Sequence, residues 1–103
     1  MTSVQGSDVS KVIIACEAGM GSSVMLTSQM RKRLKDYGIS VDHSAVNQIP
    51  DDVDVVLCHQ GLSDRARQRV GDKAPVLAFS AYMGDPVFDE LEEAIKNDDV
   101  IER

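Results

Sequence analysis

The chain has no tryptophan and only two tyrosines and two phenylalanines in 103 residues. Its core must therefore rest on Val, Ile, Leu, Ala and Met. Positive charge is also scarce: 11 Lys and Arg stand against 17 Asp and Glu, a formal net charge of −6. Phosphate backbones are held by Lys and Arg, so this balance excludes non-specific nucleic-acid binding. A small phosphate ligand stays open, because backbone N–H groups can hold one. No apolar run approaches the ~20 residues that span a bilayer. The N-terminal MTSVQGSDVS lacks the apolar centre of a signal peptide. The expectation is a cytoplasmic protein, or a cytoplasmic piece of a larger assembly. Cysteine is limited to Cys16 and Cys58, on separate predicted strands. In a reducing compartment both are thiols. Two cysteines and two histidines without tight spacing do not make a structural zinc site.

What is present describes one domain. The length leaves little room for a second core. Hydrophobic residues at 43% with mixed charges fit a globular chain rather than a disordered one. Short apolar runs alternate with helical patterns. Lys11–Ala15 reads as a strand covered on both faces. Ser23–Tyr37 reads as a helix, with Leu26, Met30, Leu34 and Tyr37 on one face and Gly38 as its stop. Ile39–His43 and Val53–Cys58 read as strands joined through Ser44–Asp52. Leu62–Val70 is a short polar helix, and Val76–Phe79 is a fourth strand. Asp85-Pro86 opens a last helix, with Asp as N-cap and Pro in the first position. The order predicts an α/β fold: a four-stranded, mainly parallel open sheet with helices on both faces, Rossmann-like. The link between the second and third strands is short for a crossover. Residues 1–10 and 98–103 read as flexible tails around a domain at 11–97.

The segment KVIIACEAGMGSSV carries the chemistry. Cys16 ends the first strand, and Ser22 or Ser23 caps the helix that follows. Gly19 and Gly21 let the backbone approach a ligand closely. Successive N–H groups in such a loop form an anion nest, and the helix N-terminus adds partial positive charge. The same field lowers a cysteine pKa below its ordinary value. A nucleophilic sulfur beside a phosphate cradle is the result.

Two chemistries use phosphate on sulfur. Cysteine-dependent phosphatases carry C-x5-R-S/T, but here the arginine position is Ser22. That removes a bidentate, charge-assisted clamp. Asp85 of Asp85-Pro86 is the one candidate acid for such an enzyme, and a plain helix start explains it as well. The other chemistry is relay, in which the sulfur accepts a phosphoryl group and passes it on. A relay needs no water-activating base, and none is evident beside Cys16. Glu17 would repel phosphate if turned inward, so its side chain is expected to face solvent.

The octet Cys16-Glu17-Ala18-Gly19-Met20-Gly21-Ser22-Ser23 resembles the phosphorylation loop of the IIB domains of the bacterial phosphoenolpyruvate-dependent sugar phosphotransferase system. It is most similar to the mannitol branch, with its C-[DE]-A-G-M-G-S-S pattern. SAVNQIPDDVDVVLCHQGLSDRA at 44–66 extends the similarity. The resemblance implies that Cys16 takes a phosphoryl group from a IIA phosphohistidine. It then gives the group to a sugar alcohol bound by the membrane IIC domain. Residues Glu17, Ala18, Gly19, Met20, Gly21, Ser22 and Ser23 would form the phosphate-binding loop, through backbone N–H groups of 18–23 and the two serine hydroxyls. No metal or organic cofactor is implied. The isolated chain would be a monomer at the inner face of the membrane, held there through IIC. A IIB-like regulatory module of a transcriptional regulator is the alternative from another class. The family pattern His-Arg-Asp-Leu reads His59-Gln60-Gly61-Leu62 here, so a cation is missing.

Other residues have plainer readings. His59 stands at the active edge and is a possible auxiliary group. His43 and Cys58 read as structural. Met20 is an apolar side chain in a small loop and suits partner contact. Arg31–Lys35 reads as a solvated helix end. Asp51, Asp52 and Asp54 read as turn residues.

Overall fold

The structure is a computed structural model. It describes residues 3–16, 21–71, 73–80 and 86–102, and for residues 16, 21–23 and 102 the backbone alone. The elements run β1 (Ser3–Gln5), β2 (Lys11–Cys16), α1 (Gly21–Leu34), β3 (Ser40–Ala45), β4 (Val55–His59), α2 (Ser63–Val70), β5 (Val76–Phe79), α3 (Pro86–Asn97) and β6 (Val100–Glu102). Single 3-10 turns lie at Gly6–Asp8, Lys35–Tyr37, Val46–Gln48 and Gln60–Leu62.

The main sheet has four strands in the order β3-β2-β4-β5. Every pairing within it is parallel. The alternation of side chains along a strand divides the core into two layers. Val12 and Ile14 of β2, Val55 and Leu57 of β4, and Leu77 and Phe79 of β5 pack with Leu26, Met30 and Leu34 of α1 and Val87, Phe88, Leu91 and Ile95 of α3. Ile13, Ala15, Val56, Cys58 and Val76 pack instead with Ala66 and Val70 of α2 and with Val46, Ile49 and Val53. Helices therefore cover both faces, as the unbroken apolar strands require.

Three expectations change. The first helix is α-helical only to Leu34, and Tyr37 lies in the 3-10 turn that Gly38 ends with φ 71°. Tyr37 is exposed rather than part of the inner face. The helix begins at Gly21, so Ser22 and Ser23 belong to its first turn and are not caps. The link from β3 to β4 needs no helix. One 3-10 turn suffices, because Val46, Ile49 and Val53 bury themselves against the sheet.

The chain ends differ most from the expected tails at 1–10 and 98–103. β1 and β6 pair antiparallel, Val4 opposite Ile101. Ile101 joins the α1–α3 layer, and Val4 packs against it. Asp98 turns the chain with φ 57°. Its carboxylate accepts from the Ser7 N–H at 2.9 Å, and its carbonyl accepts from Gln5 Nε2 at 2.7 Å. Three apolar or amide side chains and one turn are enough to order both ends against α3.

Candidate functional site

In open parallel sheets the C-terminal edge of the strands is where ligands bind. Here that edge is marked by Ala45, Cys16, His59 and Phe79, the last residues of β3, β2, β4 and β5. Cys16 pairs in register with Ala45, and Ala15 pairs with Cys58. One step further along, Cys16 and His59 are the terminal residues of two adjacent central strands. The strands behind them are buried almost completely, Val12, Ile14, Val55 and Leu57 at 0% exposure. This holds the backbone of the edge in place.

From Cys16 the chain reaches the N-terminus of α1 across residues 17–20. α1 is 14 residues long, with no acidic residue in its first turn. Its basic residues Arg31, Lys32 and Arg33 sit in the last turn, at the far end. The helix dipole is thus uncancelled where an anion would meet it. Glu17, Ala18, Gly19 and Met20 lie outside the described residues, as do the side chains of Cys16, Gly21, Ser22 and Ser23 and the whole of Asp85. The backbone of 21–23 forms the first turn of α1, in line with a helix start directly after the loop.

His59 is half-buried at the end of β4. Its Nδ1 accepts a hydrogen bond from the Gly61 N–H at 3.2 Å. Its ring stands edge-on to Phe79, with centroids 6.0 Å apart and an interplanar angle of 88°. Phe79 is itself packed on Phe88 of α3 at 5.3 Å. The sequence reading singled out His59 but not Phe79. The signal was there, since Phe79 ends the fourth strand at the same edge. A side chain at 61 would meet His59 Nδ1 at an ordinary 3.5 Å, so the turn does not demand glycine.

The remaining candidates are structural. Cys58 is fully buried, and burial pushes its thiol up to about 11, against a small opposing pull from Arg67. It is not a nucleophile at neutral pH. Arg31 and Arg33 are committed: Arg31 Nε donates to the Val41 carbonyl at 2.7 Å, and Arg33 bridges to Asp89 and Glu92 of α3. Val24 and Met25 of α1, which the sequence reading passed over, are about half exposed. Among the described residues no group of three or more His, Cys, Asp or Glu could hold a metal ion. No helix among them is long and apolar enough to cross a membrane.

Comparison with known proteins identifies the family and the fold. The family model described as "PTS system, Lactose/Cellobiose specific IIB subunit" matches residues 11–96. The chain is 38% identical over 95 residues to a PTS system mannitol-specific EIICB component of Halalkalibacterium halodurans, covering 90% of this chain and 20% of that protein. It is 39% identical over 92 residues to a mannitol-specific EIICBA component of Escherichia coli, covering 86% and 14%. The chain thus spans a fifth or less of these relatives' length. The lactose-specific IIB component domain of the phosphotransferase system from Streptococcus pneumoniae shares the fold, with TM-score 0.50 and 15% identity over 87% of this chain and 94% of that one.

Proposed function

We propose, on the premise that this chain belongs to the IIB family of the phosphotransferase system, that it is a phosphotransferase relaying a phosphoryl group through Cys16. The observation that carries the reading is the position of Cys16. It ends a central buried strand at the ligand-binding edge, and an acid-free helix N-terminus begins five residues later, at Gly21. The Cys16 thiolate attacks the phosphorus of a phosphohistidine on a IIA domain. The S–P bond forms, the N–P bond breaks, and the histidine nitrogen leaves with the electron pair. In the second step a sugar hydroxyl oxygen attacks the same phosphorus: the O–P bond forms, the S–P bond breaks, the Cys16 thiolate leaves with the electron pair, and the hydroxyl proton is released to a base on the acceptor side or to water. Both steps depend on positioning and on stabilising the equatorial oxygens. Backbone N–H groups from Ala18 to Ser23, with the Ser22 and Ser23 hydroxyls, supply that stabilisation. Glu17 belongs to the same loop in sequence, where its carboxylate would repel the incoming phosphate if it turned inward. Met20 presents apolar surface to the partners. No cofactor takes part.

The names of the relatives support the partners. EIICB and EIICBA components combine a B unit with a C unit, and the latter with an A unit. IIA is therefore the donor and membrane-bound IIC the site of the acceptor. Docking to each is transient and small. The acceptor is a sugar alcohol, mannitol. Identities of 38–40% to mannitol-specific components outweigh the 15% to a lactose-specific one. The chain works as a monomeric module, with its core at 11–97, on the cytoplasmic face beside IIC.

The test is intact-mass spectrometry after incubation with phosphoenolpyruvate, the general phosphotransferase proteins and a mannitol-type IIA. One acid- and base-characterised thiophosphate mapped to Cys16 is expected. Membranes with IIC and mannitol should then discharge it. Cys16→Ser should keep the fold and accept nothing; labelling of that variant at wild-type stoichiometry would remove Cys16 as the acceptor. Steady release of inorganic phosphate from an aryl phosphate would mark a hydrolase instead.

A further inference from the structure

We propose that Arg31 and Asp42 form a guard over the free edge of the main sheet, and that the guard shuts out the same edge of a second copy of this chain. The inference goes beyond the relay reading and uses no residue of the Cys16 loop. β3 is one edge of the sheet, and β5 is the other. β5 has four residues, and a short edge offers little to pair with. β3 has six, Ser40–Ala45, in unbroken register with β2 and with no proline, lysine or bulge. Such a strand is a template for strand addition unless something covers it.

Two hydrogen bonds fix the direction of its main-chain groups. The Ser40 N–H donates inward, to the Ser10 carbonyl at 2.8 Å. The Val41 carbonyl accepts from the other side, from Arg31 Nε at 2.7 Å. Main-chain groups alternate sides along a strand, so those of Val41, His43 and Ala45 face away from β2. Each of these three residues has an outward group covered by a side chain. Arg31 covers the Val41 carbonyl. Asp42 Oδ1 accepts from the His43 N–H at 3.2 Å, and Ser44 Oγ donates to the Ala45 carbonyl at 3.2 Å. Arg31 Nη2 and Asp42 Oδ1 meet at 3.2 Å, which joins the first two covers into one. Side-chain exposures of 54% and 60% put this pair in solvent, where an ion pair adds little stability. A groove of about 380 Å³ opens along the same edge, lined among others by Arg31, Lys35, Val41 and Asp42. A strand entering it meets the pair first.

A second copy is the occupant that the edge itself fits. Two copies of β3 related by a two-fold axis run antiparallel. Outward residues must then face outward residues. With His43 opposite His43 of the second copy, Val41 faces Ala45 and Asp42 faces Ser44. No carboxylate opposes another in that register. A shift that sets Asp42 against Asp42 of the second copy places like charges together, which is unfavourable.

The test is Arg31→Met/Asp42→Ala in the otherwise intact chain. Methionine keeps an unbranched stem on α1, and both altered side chains are exposed. Sedimentation equilibrium over a wide concentration range measures self-association, melting curves report the fold, and residue-resolved amide exchange locates the contact. The wild type is expected to be a monomer at every concentration. The double variant should melt as the wild type does and self-associate at least about tenfold more tightly, the scale of one net hydrogen bond gained across an interface. As its concentration rises, the amides of Val41, His43 and Ala45 should gain protection, while those of Asp42 and Ser44, on the β2 side, stay unchanged. His43→Pro added to the double variant removes an outward N–H at an edge position that tolerates proline, and should return it to a monomer. A double variant that stays monomeric with wild-type melting overturns the inference. So does association that His43→Pro leaves intact, association that leaves the three outward amides unprotected, or a wild type that already pairs through β3. If the double variant melts early, Asp42→Ala alone decides by the same readings, since it alters one exposed carboxylate outside the core. None of these readings depends on Cys16, so the relay reading stands or falls separately.

Discussion

Asp54 Oδ2 accepts both the backbone N–H and the hydroxyl of Ser10, at 2.8 and 2.9 Å. The same oxygen accepts from the Lys11 N–H at 2.9 Å, and the Asp54 N–H donates back to the Lys11 carbonyl at 2.9 Å. Ser10 and Asp54 directly precede the two central strands, β2 and β4. The pairing Val12–Val55 follows from this latch, and five residues from Lys11 and from Asp54 the strands end on Cys16 and His59. A slip of one residue would turn each strand's side chains to the opposite layer. Asp54 is more than a turn residue: from the far end of the sheet it ties together the two strands that end on Cys16 and His59. Its neighbours Asp51 and Asp52 pair with Lys73 and Lys11 at the surface.

Asp54→Ala should therefore destabilise the fold by about 2 kcal/mol, the scale of hydrogen bonds to a charged group. Asp54→Asn should recover part of the loss. Urea denaturation checks both. A loss below about 0.5 kcal/mol would mean that the strands hold their register without the latch.

Gly6 makes the closest backbone approach at the chain ends. A Cβ there would lie 2.2 Å from the Ala94 carbonyl oxygen and 3.0 Å from Ile95 Cα, both atoms of the α3 main chain. Neither can swing aside. Gly6→Ala should cost about 1–3 kcal/mol, the range of overpacking, and should weaken hydrogen-exchange protection in β1 and β6. Gly61→Ala is the matched control. Its Cβ meets only His59 Nδ1 at 3.5 Å, and its effect should stay within about 0.5 kcal/mol.

Cys58 should be silent to alkylation in the native protein and reactive in urea. Peptide mapping after iodoacetamide at neutral pH distinguishes the two states. The pH dependence has a defined sign. The native thiol titrates at about 11 rather than at its ordinary 9.0, because burial disfavours the thiolate. The native state therefore holds its proton where the unfolded chain releases it. Full stability persists below pH 9.0 and declines as pH rises toward about 11. Cys58→Ala should remove that part of the decline.

Acid should open the chain ends. Hydrogen bonds from Ser7, its side chain first and its backbone N–H next, hold the Asp98 carboxyl below the ordinary 3.8. A depressed carboxyl stabilises the fold above that value, and the contribution is lost as pH falls below 3.8 through the native pKa. The amide of Ser7 should lose exchange protection in that window while the amides of β2 and β4 keep theirs. Asp98→Ala should show the loss already at neutral pH. Unchanged Ser7 protection in Asp98→Ala would show that the main-chain pairing alone holds the ends.

Where local pattern and burial agree, the sequence was enough. The run VVLC at 55–58 is apolar at every position, and the structure buries every one. Leu26, Met30 and Leu34 recur at four-residue steps and are all at 1% exposure or less. Tyr37 continues the apolar spacing, yet it lies in a 3-10 turn and faces outward. Spacing alone does not distinguish a turn of 3.6 residues from one of 3.0 at a helix end. Strands of three residues such as SVQ and VIE show no period at all. Their pairing spans almost the whole chain and depends on Gly6 and Asp98 bringing the ends together over α3.

By itself, then, the sequence determined the strand that ends on Cys16 and the helix that follows at Gly21, because a buried apolar run and a helical spacing are both local properties. It also determined that the sheet would be mainly parallel and covered on both faces, because β4 and β5 and all of β2 after Lys11 are apolar up to their last residues, while the edge strand β3, SVDHSA, is half-exposed. Which strand lies beside β2 was not local. The order β3-β2-β4-β5 sets β4 next to β2 although β3 comes between them in the chain. Only that long-range pairing, held in register by Asp54 and Ser10, brings His59 and the Phe79 behind it to the edge where Cys16 ends.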